Sequence, residues 1–275
     1  MITLQATTVG ARRARVWMGG TGEPLLLIHG AWGGAEMHWA GVWDTLAERF
    51  RVIAPELPGI GDLTSPGLPS FDAYAAFIAE LLVAVDARSA WCVGNSLGAA
   101  VAWQLSALLG ERCRGVVLVN GPPPREAPAL VRALAAIGPQ PLLRALYRKL
   151  SFSPALLARA FADPARAPAE LVRVLKDPPP AQLDLLLGII CRGAPTAPRP
   201  AAPVLLAWGA SDRLPGTGSD TGRKLQQTIE GAELVLLPSA GHCPQLEQPS
   251  RFVDAISSFV TSSIGEHVAE FRTQP

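Results

Sequence analysis

The chain has few charged residues. Only 17% of its 275 residues are Asp, Glu, Lys or Arg, and its formal net charge is +1. The basic residues are dispersed and are not interleaved with aromatic side chains. Such a composition argues against nucleic acid or an anionic membrane surface as the main partner. We therefore expect a small-molecule substrate, with no nucleic acid and no membrane among the partners.

Cysteine is also scarce, and long apolar runs are missing from the sequence. The four cysteines form no CxxC pair and no cluster with metal-ligand spacing, as is typical of small buried side chains in a reducing compartment. No apolar run has the length of a membrane span, and the first residues lack the pattern of a secretion signal. We therefore expect a cytoplasmic protein. The abundance of alanine, arginine and proline is typical of GC-rich bacterial genomes.

Apolar and β-rich runs alternate with helical patterns along most of the chain. Several of the runs lack the polar alternation of half-exposed strands, so we expect strands that are buried on both faces of a sheet. The alternation of strand and helix predicts an α/β fold with a mostly parallel central sheet and helices on both faces. The predicted strands are residues 15–18, 24–28, 51–54, 90–93, 115–119, 204–208 and 233–237, and the predicted helices are residues 37–50, 71–86, 97–110, 218–230 and 249–263.

Residues 121–202 depart from this alternation. The segment holds most of the prolines and no convincing strand, and its helical patterns interleave arginine with leucine and alanine. It is too long for an ordinary loop and too apolar for a linker. We interpret it as a helical cap inserted into one core domain, which consists of residues 1–120 and 203–275. The alternative is an interface for a second subunit.

The sequence Gly94-Asn95-Ser96-Leu97-Gly98 lies between an apolar run and a helical pattern, as expected of a strand, a sharp turn and a helix. A Cβ atom at either glycine would collide with the neighbouring strand or helix, and the turn forces the serine into a strained conformation that exposes its hydroxyl. Free N–H groups at the start of the helix suit an anion that forms beside it. The pattern predicts a nucleophile at Ser96, although taken alone it also fits a plain tight turn.

A serine nucleophile needs a nearby base, most often a histidine, and the chain has four histidines. His242 follows the last predicted strand, at the edge of the sheet where ligands bind in open α/β folds. His267 lies in a polar tail, and His38 begins a helix, where we expect a solvated or capping role. We therefore predict that His242 is the base.

The carboxylate that orients the histidine is predicted at the same edge of the sheet. The strand at residues 204–208 runs into a loop that carries Asp212, which gives the chain order Ser96, Asp212, His242. The strand that follows the nucleophile helix ends at Asn120, which cannot be a carboxylate. Asp220 lies too far from a strand end. We therefore predict that Asp212 holds the histidine.

These residues in this order resemble the α/β hydrolase family. The resemblance extends to His29-Gly30, ahead of Ala31, and to the Pro-Glu-Leu-Pro-Gly-Ile-Gly sequence of residues 55–61. It implies that the backbone N–H groups of Ala31 and Leu97 form an oxyanion hole and that His29 shapes the loop without transferring protons. It implies no metal and no organic cofactor.

The resemblance implies a serine hydrolase that cleaves an ester-type bond of a small, fairly apolar substrate through an acyl-enzyme on Ser96. We expect Trp32, beside the oxyanion loop, to contact the substrate. Thioesterases, lactonases and C–C bond hydrolases use the same triad and are alternatives within enzymes. The alternative from another class is a ligand-binding protein that retains the triad without its chemistry.

Overall fold

A computed structural model of the chain describes the backbone of residues 1–273 and the side chains of residues 1–265. Its centre is one sheet of eight strands in the spatial order β1-β2-β4-β3-β5-β6-β7-β8. The pairs β1–β2 and β2–β4 are antiparallel, and all the other pairs are parallel. The strands are β1 (Thr3–Val9), β2 (Arg12–Gly19), β3 (Pro24–Ile28), β4 (Arg51–Pro55), β5 (Ala90–Asn95), β6 (Cys113–Val119), β7 (Val204–Gly209) and β8 (Glu233–Leu237).

The sequence predicted seven of these strands but not β1. The first strand lies at the edge of the sheet, and most of its side chains are exposed to solvent. It therefore lacks the apolar run that marks the buried strands, and it is held mainly by its antiparallel ladder with β2. The mostly parallel sheet confirms the predicted α/β fold.

Two hydrophobic cores lie on opposite faces of the sheet, because successive side chains of a strand point to opposite faces. Leu26 of β3 belongs to the core beneath α2 and α3, whereas Leu25 and Leu27 belong to the core beneath α1 and α11. Trp39 and Trp43 of α1 are buried in the second core, where they pack against the sheet. The helices of this part of the fold are α1 (Ala35–Ala47), α2 (Phe71–Ala84), α3 (Leu97–Leu109), α9 (Ser219–Thr228), α10 (Pro244–Glu247) and α11 (Pro249–Thr273).

Residues 121–202, all of which the structure describes, form helices and short turns between β6 and β7. One isolated bridge, between Glu126 and Gly193, joins the two ends of this helical insertion. Phe161 and Leu171 are fully buried in the core that also holds α2 and α3, so the insertion packs onto the sheet domain. Its helices are α4 (Ala129–Ile137), α5 (Gln140–Ser151), α6 (Leu157–Ala160), α7 (Ala169–Lys176) and α8 (Pro180–Arg192).

The topology brings the ends of four neighbouring parallel strands to one edge of the sheet. Ser96 directly follows β5, and Asp212 and His242 lie in the loops that follow β7 and β8. The strands β5, β6, β7 and β8 are consecutive in the sheet. The three predicted residues therefore lie at its carboxyl edge, although they are far apart in sequence. In the part of the chain that the structure describes, no helix is both long and apolar enough to cross a membrane.

Candidate active site

Ser96 lies at the apex of a strained turn between β5 and α3. Its backbone has φ +55° and ψ −115°, in a region that residues with a Cβ atom rarely adopt. A Cβ atom at Gly94 would lie 2.6 Å from the backbone nitrogen of Ala99, and one at Gly98 would lie 2.7 Å from the carbonyl oxygen of His29. Both contacts are too close, as the sequence predicted. The glycines let strand, helix and turn approach closely while the serine stays half-buried at the surface of the site.

A third glycine, Gly121 at the start of the insertion, also permits this turn. A Cβ atom there would lie 2.8 Å from the Cα of Ser96. The N–H of Ser96 donates to the carbonyl of Val119, at the end of β6, over 2.9 Å. The turn is therefore fixed against the next strand of the sheet, and its strained conformation is set by packing around it.

His242 and Asp212 form a buried pair. The Nδ1 of His242 lies 2.9 Å from the Oδ2 of Asp212, and both residues are almost completely buried. A carboxylate can only accept a hydrogen bond, so the proton of the neutral ring is on Nδ1 and the basic lone pair is on Nε2. The pair therefore has the tautomer that a general base needs.

Asn120 supports the carboxylate of Asp212. Its Nδ2 donates to the Oδ2 of Asp212 over 2.9 Å, and its Oδ1 accepts from the N–H of Gly209 over 2.8 Å. The other carboxylate oxygen, Oδ1, accepts from the N–H of Leu214 over 2.9 Å. Both oxygens of Asp212 are thus held by donors. Asn120, which the sequence analysis excluded as the acid, therefore holds the carboxylate of Asp212 in place.

The loop of His242 is tied to the strand that carries Ser96. The Nδ2 of Asn95 donates to the carbonyl of His242 over 3.0 Å and to the carbonyl of Val119 over 3.1 Å. Asn95 is fully buried and immediately precedes the serine. Sequence reasoning gave it no role, although a polar side chain at the end of an otherwise apolar buried strand was a usable signal.

The N–H groups of Ala31 and Leu97 are available at the site. Neither donates to an acceptor among the residues that the structure describes, and both residues line the same cavity as Ser96. The Leu97 N–H belongs to the first turn of α3, where the helix dipole favours an anion. Gln182 of the insertion donates from Nε2 to the carbonyl of Ala31 over 3.0 Å, and this buried amide holds the loop.

Trp32 lies between the insertion and the histidine. Its ring centroid is 5.4 Å from that of His242, and its Nε1–H donates to the carbonyl of Ser151 over 3.0 Å. Trp32 is half-buried. These contacts tie Trp32 to the insertion, and its contact with a substrate stays a prediction.

The other histidines differ in their surroundings. His29 is fully buried, its Nδ1 lies 2.7 Å from the carbonyl of Gly30, and its Nε2 accepts from the N–H of Leu57 over 2.9 Å. Burial lowers the pKa of His29 against the opposing charge of Glu56. The ring is neutral, because an Nε2 that accepts a hydrogen bond carries no proton. The expectation of a solvated or capping His38 was wrong, because this ring is buried beneath the site and burial lowers its pKa well below the usual value. The side chain of His267 lies outside the described residues.

Cys243, next to the histidine, does not have the surroundings of a reactive thiol. It is 1% exposed, and burial together with the carboxylates of Asp212 and Glu247 raises its pKa. Its Sγ lies 3.6 Å from the Oδ1 of Asn95 and packs within the site. Among the described residues, no group of three or more His, Cys, Asp or Glu could hold a metal ion.

A cavity of about 690 Å³ opens at Ser96, between the sheet edge, the insertion and α9. Most of its lining is apolar, and of the described residues that line it two are charged, Arg125 and Lys224. No carboxylate of the described side chains forms an ion pair with either of them. The apolar part of the lining includes Phe71, Leu97, Ala100, Pro122, Ile190 and Leu225.

Comparisons with known proteins give an independent indication of the family. Residues 25–255 match the model of the alpha/beta hydrolase family. The chain is 31% identical over 249 residues to the pimeloyl-[acyl-carrier protein] methyl ester esterase of Nitrosomonas europaea, covering 87% of this chain and 96% of that protein.

Two solved structures share the fold. A thermophilic esterase from Thermogutta terrifontis superposes with a TM-score of 0.72 at 23% identity, covering 96% of this chain and 99% of that one. The meta-cleavage product hydrolase of Pseudomonas fluorescens IP01 gives a TM-score of 0.71 at 21% identity, covering 94% and 98%. The family match spans most of the chain, and the fold agrees with it: this chain belongs to the α/β hydrolase family.

Proposed function

We propose that this hydrolase cleaves carboxylic esters of small, largely apolar substrates through an acyl-enzyme on Ser96. The observation that carries the proposal is the buried pair of His242 and Asp212, at the sheet edge that also presents Ser96 on a strained turn. The esterase from Nitrosomonas europaea, 31% identical, supports an ester as the bond that is cleaved.

The proposed reaction begins when the Oγ of Ser96 attacks the ester carbonyl carbon. The Nε2 of His242 takes the hydroxyl proton, and the negative carbonyl oxygen of the tetrahedral intermediate accepts from the N–H groups of Ala31 and Leu97. Collapse of the intermediate breaks the bond to the alcohol, which leaves with the proton from His242. Water, deprotonated by His242, then attacks the acyl-enzyme. As this second intermediate collapses and the acid leaves, His242 gives the proton to the Oγ of Ser96, which restores the serine and the neutral histidine.

Asp212 contributes through its charge and its position. Its Oδ2 accepts from the Nδ1–H of His242, with 2.9 Å between Nδ1 and Oδ2. Its charge stabilises the imidazolium that forms when Nε2 takes the proton. Asn120 and the Leu214 N–H fix the carboxylate, so little reorganisation is needed as the charge develops.

Turnover of p-nitrophenyl esters of increasing acyl length tests the proposal. Because the cavity is mostly apolar, we expect kcat/KM to rise along the first members of the series by up to about fourfold per methylene, which corresponds to ~0.8 kcal/mol. The rise should end where the chain fills the cavity of about 690 Å³. No turnover of any ester by the folded protein would contradict the proposal.

Arg125 and Lys224 lead to a prediction about substrate charge. An ester whose far end carries a carboxylate should be preferred over the neutral ester of equal length, because two exposed cations without a paired carboxylate line the cavity. We expect Lys224→Met and Arg125→Met each to lower this preference in kcat/KM by about fivefold, which corresponds to ~1 kcal/mol between charges about 4 Å apart in water.

The matched control for this charge effect is Arg223→Met. Arg223 is an exposed neighbour on α9 that does not line the cavity. Its replacement should leave the preference unchanged, whereas 0.5 M salt should reduce the preference of the unmodified protein. Equal kcat/KM for the charged and neutral esters at low salt would contradict the prediction.

We propose the helical insertion as a cap on the site. Gln182 and Ile190 of α8 lie at the oxyanion loop and in the cavity wall, respectively. Substrate choice would then depend on the sheet edge and the insertion together.

A C–C bond hydrolase is the second candidate function, since the meta-cleavage product hydrolase shares the fold. Parallel assays with an ester and with a β-diketone, whose hydrolysis breaks a C–C bond, distinguish the two.

A further inference from the structure

Glu247 is a buried carboxylate in α10 that does not belong to the proposed triad. It is 1% exposed. Its Oε1 accepts from the N–H groups of Ala162 and Asp163 over 2.8 and 3.1 Å, and its Oε2 accepts from the N–H of Gly241 over 2.6 Å. The first two donors belong to the insertion, and the third immediately precedes His242. One side chain therefore joins two segments that are remote in sequence.

The two segments lie in direct contact beside Glu247. The N–H of His242 donates to the carbonyl of Ala160, and a Cβ atom at Gly241 would lie 2.7 Å from that carbonyl carbon. The N–H of Arg213, next to Asp212, donates to the carbonyl of Arg159 over 2.9 Å. Residues 159–163 of the insertion thus contact the loops of both the histidine and the aspartate.

The buried charge of Glu247 is balanced mainly by backbone dipoles. Burial raises its pKa, and the N–H groups of Gly241, Asp163 and Ala162 oppose that rise. Arg166, whose charge also opposes the rise, donates from its guanidinium to the backbone carbonyl of Glu247 over 2.7 Å. A carboxylate is costly to bury unless its oxygens are satisfied, so this arrangement is sensitive to the loss of one acceptor.

We propose that Glu247 is a positioning residue that fixes the loop of His242 to residues 160–163 of the insertion. The position of these insertion residues on the sheet domain then determines the position of the base. The proposal rests on the proposed function, in which His242 takes the proton of Ser96. Glutamine is the sharpest replacement, because it keeps the volume but has only one acceptor oxygen. Whichever way its amide turns, an NH2 group faces either the Gly241 N–H or the two insertion N–H groups.

For Glu247→Gln we expect kcat on a small ester to fall about 10- to 100-fold, with KM changed by less than about threefold, because the base is displaced while the cavity remains. Labelling of Ser96 by a fluorophosphonate should slow by the same factor, since it also requires His242. Glu170→Gln is the matched control: it makes the same replacement on an exposed side chain in the first turn of α7, outside the contact with Glu247, and it should leave both rates within twofold.

Three outcomes decide the proposal. If Glu247→Gln has a lower melting temperature but unchanged kcat and labelling rate when folded, Glu247 is only structural and the proposal is wrong. If the variant does not fold, hydrogen exchange of the unmodified protein decides: a shared acceptor predicts that the amides of Ala162, Asp163 and Gly241 open together, and separate rates contradict it. If the unmodified protein neither cleaves esters nor reacts with the fluorophosphonate, it is the proposed function that fails.

Discussion

Replacing Ser96 with alanine should lower kcat for ester hydrolysis by about 10⁴- to 10⁶-fold. In the proposed mechanism, no nucleophile then remains to form the acyl-enzyme, and only the oxyanion hole of Ala31 and Leu97 still acts. Steady-state turnover of the best p-nitrophenyl ester measures the loss. Alanine and serine both have a Cβ atom, so the strained φ of +55° costs the variant no more than it costs the serine, and the melting temperature should change by only a few degrees.

The control for this variant is Ser106→Ala on the same helix. Ser106 is buried and donates to the carbonyl of Trp103 over 2.6 Å, away from the proposed chemistry. Its loss should cost about 1 kcal/mol of folding free energy and leave kcat within twofold. Substantial turnover by purified Ser96→Ala would show that another group attacks the ester.

Replacing Asp212 with asparagine should lower kcat by about 10⁴-fold. Oδ2 accepts from Asn120 and from His242, and Oδ1 accepts from the Leu214 N–H. An asparagine amide must therefore direct its NH2 group at one of these donors. If it faces His242, the ring takes the tautomer with the proton on Nε2, which cannot accept the proton of Ser96. Measurement of kcat from pH 5 to 9 checks the result, because the loss should persist at every pH.

Asp220→Asn is the matched control for the aspartate. Asp220 is the other acid of this region of the sequence, and it lies exposed in the first turn of α9. Its replacement should leave kcat within twofold. A large loss in Asp220→Asn together with near-normal activity in Asp212→Asn would transfer the role to the exposed residue and overturn the assignment.

The fold could largely be predicted because its signals are local. The buried parallel strand β3 is an uninterrupted apolar run, and β5 is apolar up to Asn95. The glycines around Ser96 mark a turn that few other residues permit. Placement at the carboxyl edge then follows from topology, since each strand is followed by its loop there. For that reason the sequence could place Ser96, Asp212 and His242 at one edge of the sheet.

The supporting contacts could not be predicted, because they join residues far apart in sequence. Glu247 contacts residues of the insertion that are more than 80 positions away in the sequence, and Gln182 contacts Ala31, which is 151 positions away. Neither side chain has a local pattern that reveals its partner. The wrong prediction of a solvated His38 has the same origin. The position of a histidine at the start of a helix does not show that residues distant in sequence bury it beneath the site.

The most direct test of the central claim is to map the adduct that a fluorophosphonate forms with the unmodified protein. Cleavage by trypsin should release residues 89–112 as one peptide, which contains Ser89, Ser96 and Ser106, so fragmentation of the peptide locates the adduct. We predict one adduct per chain, on Ser96, and none in Ser96→Ala. An adduct on another residue, or none on a protein that still cleaves esters, would contradict the assignment of Ser96 as the nucleophile.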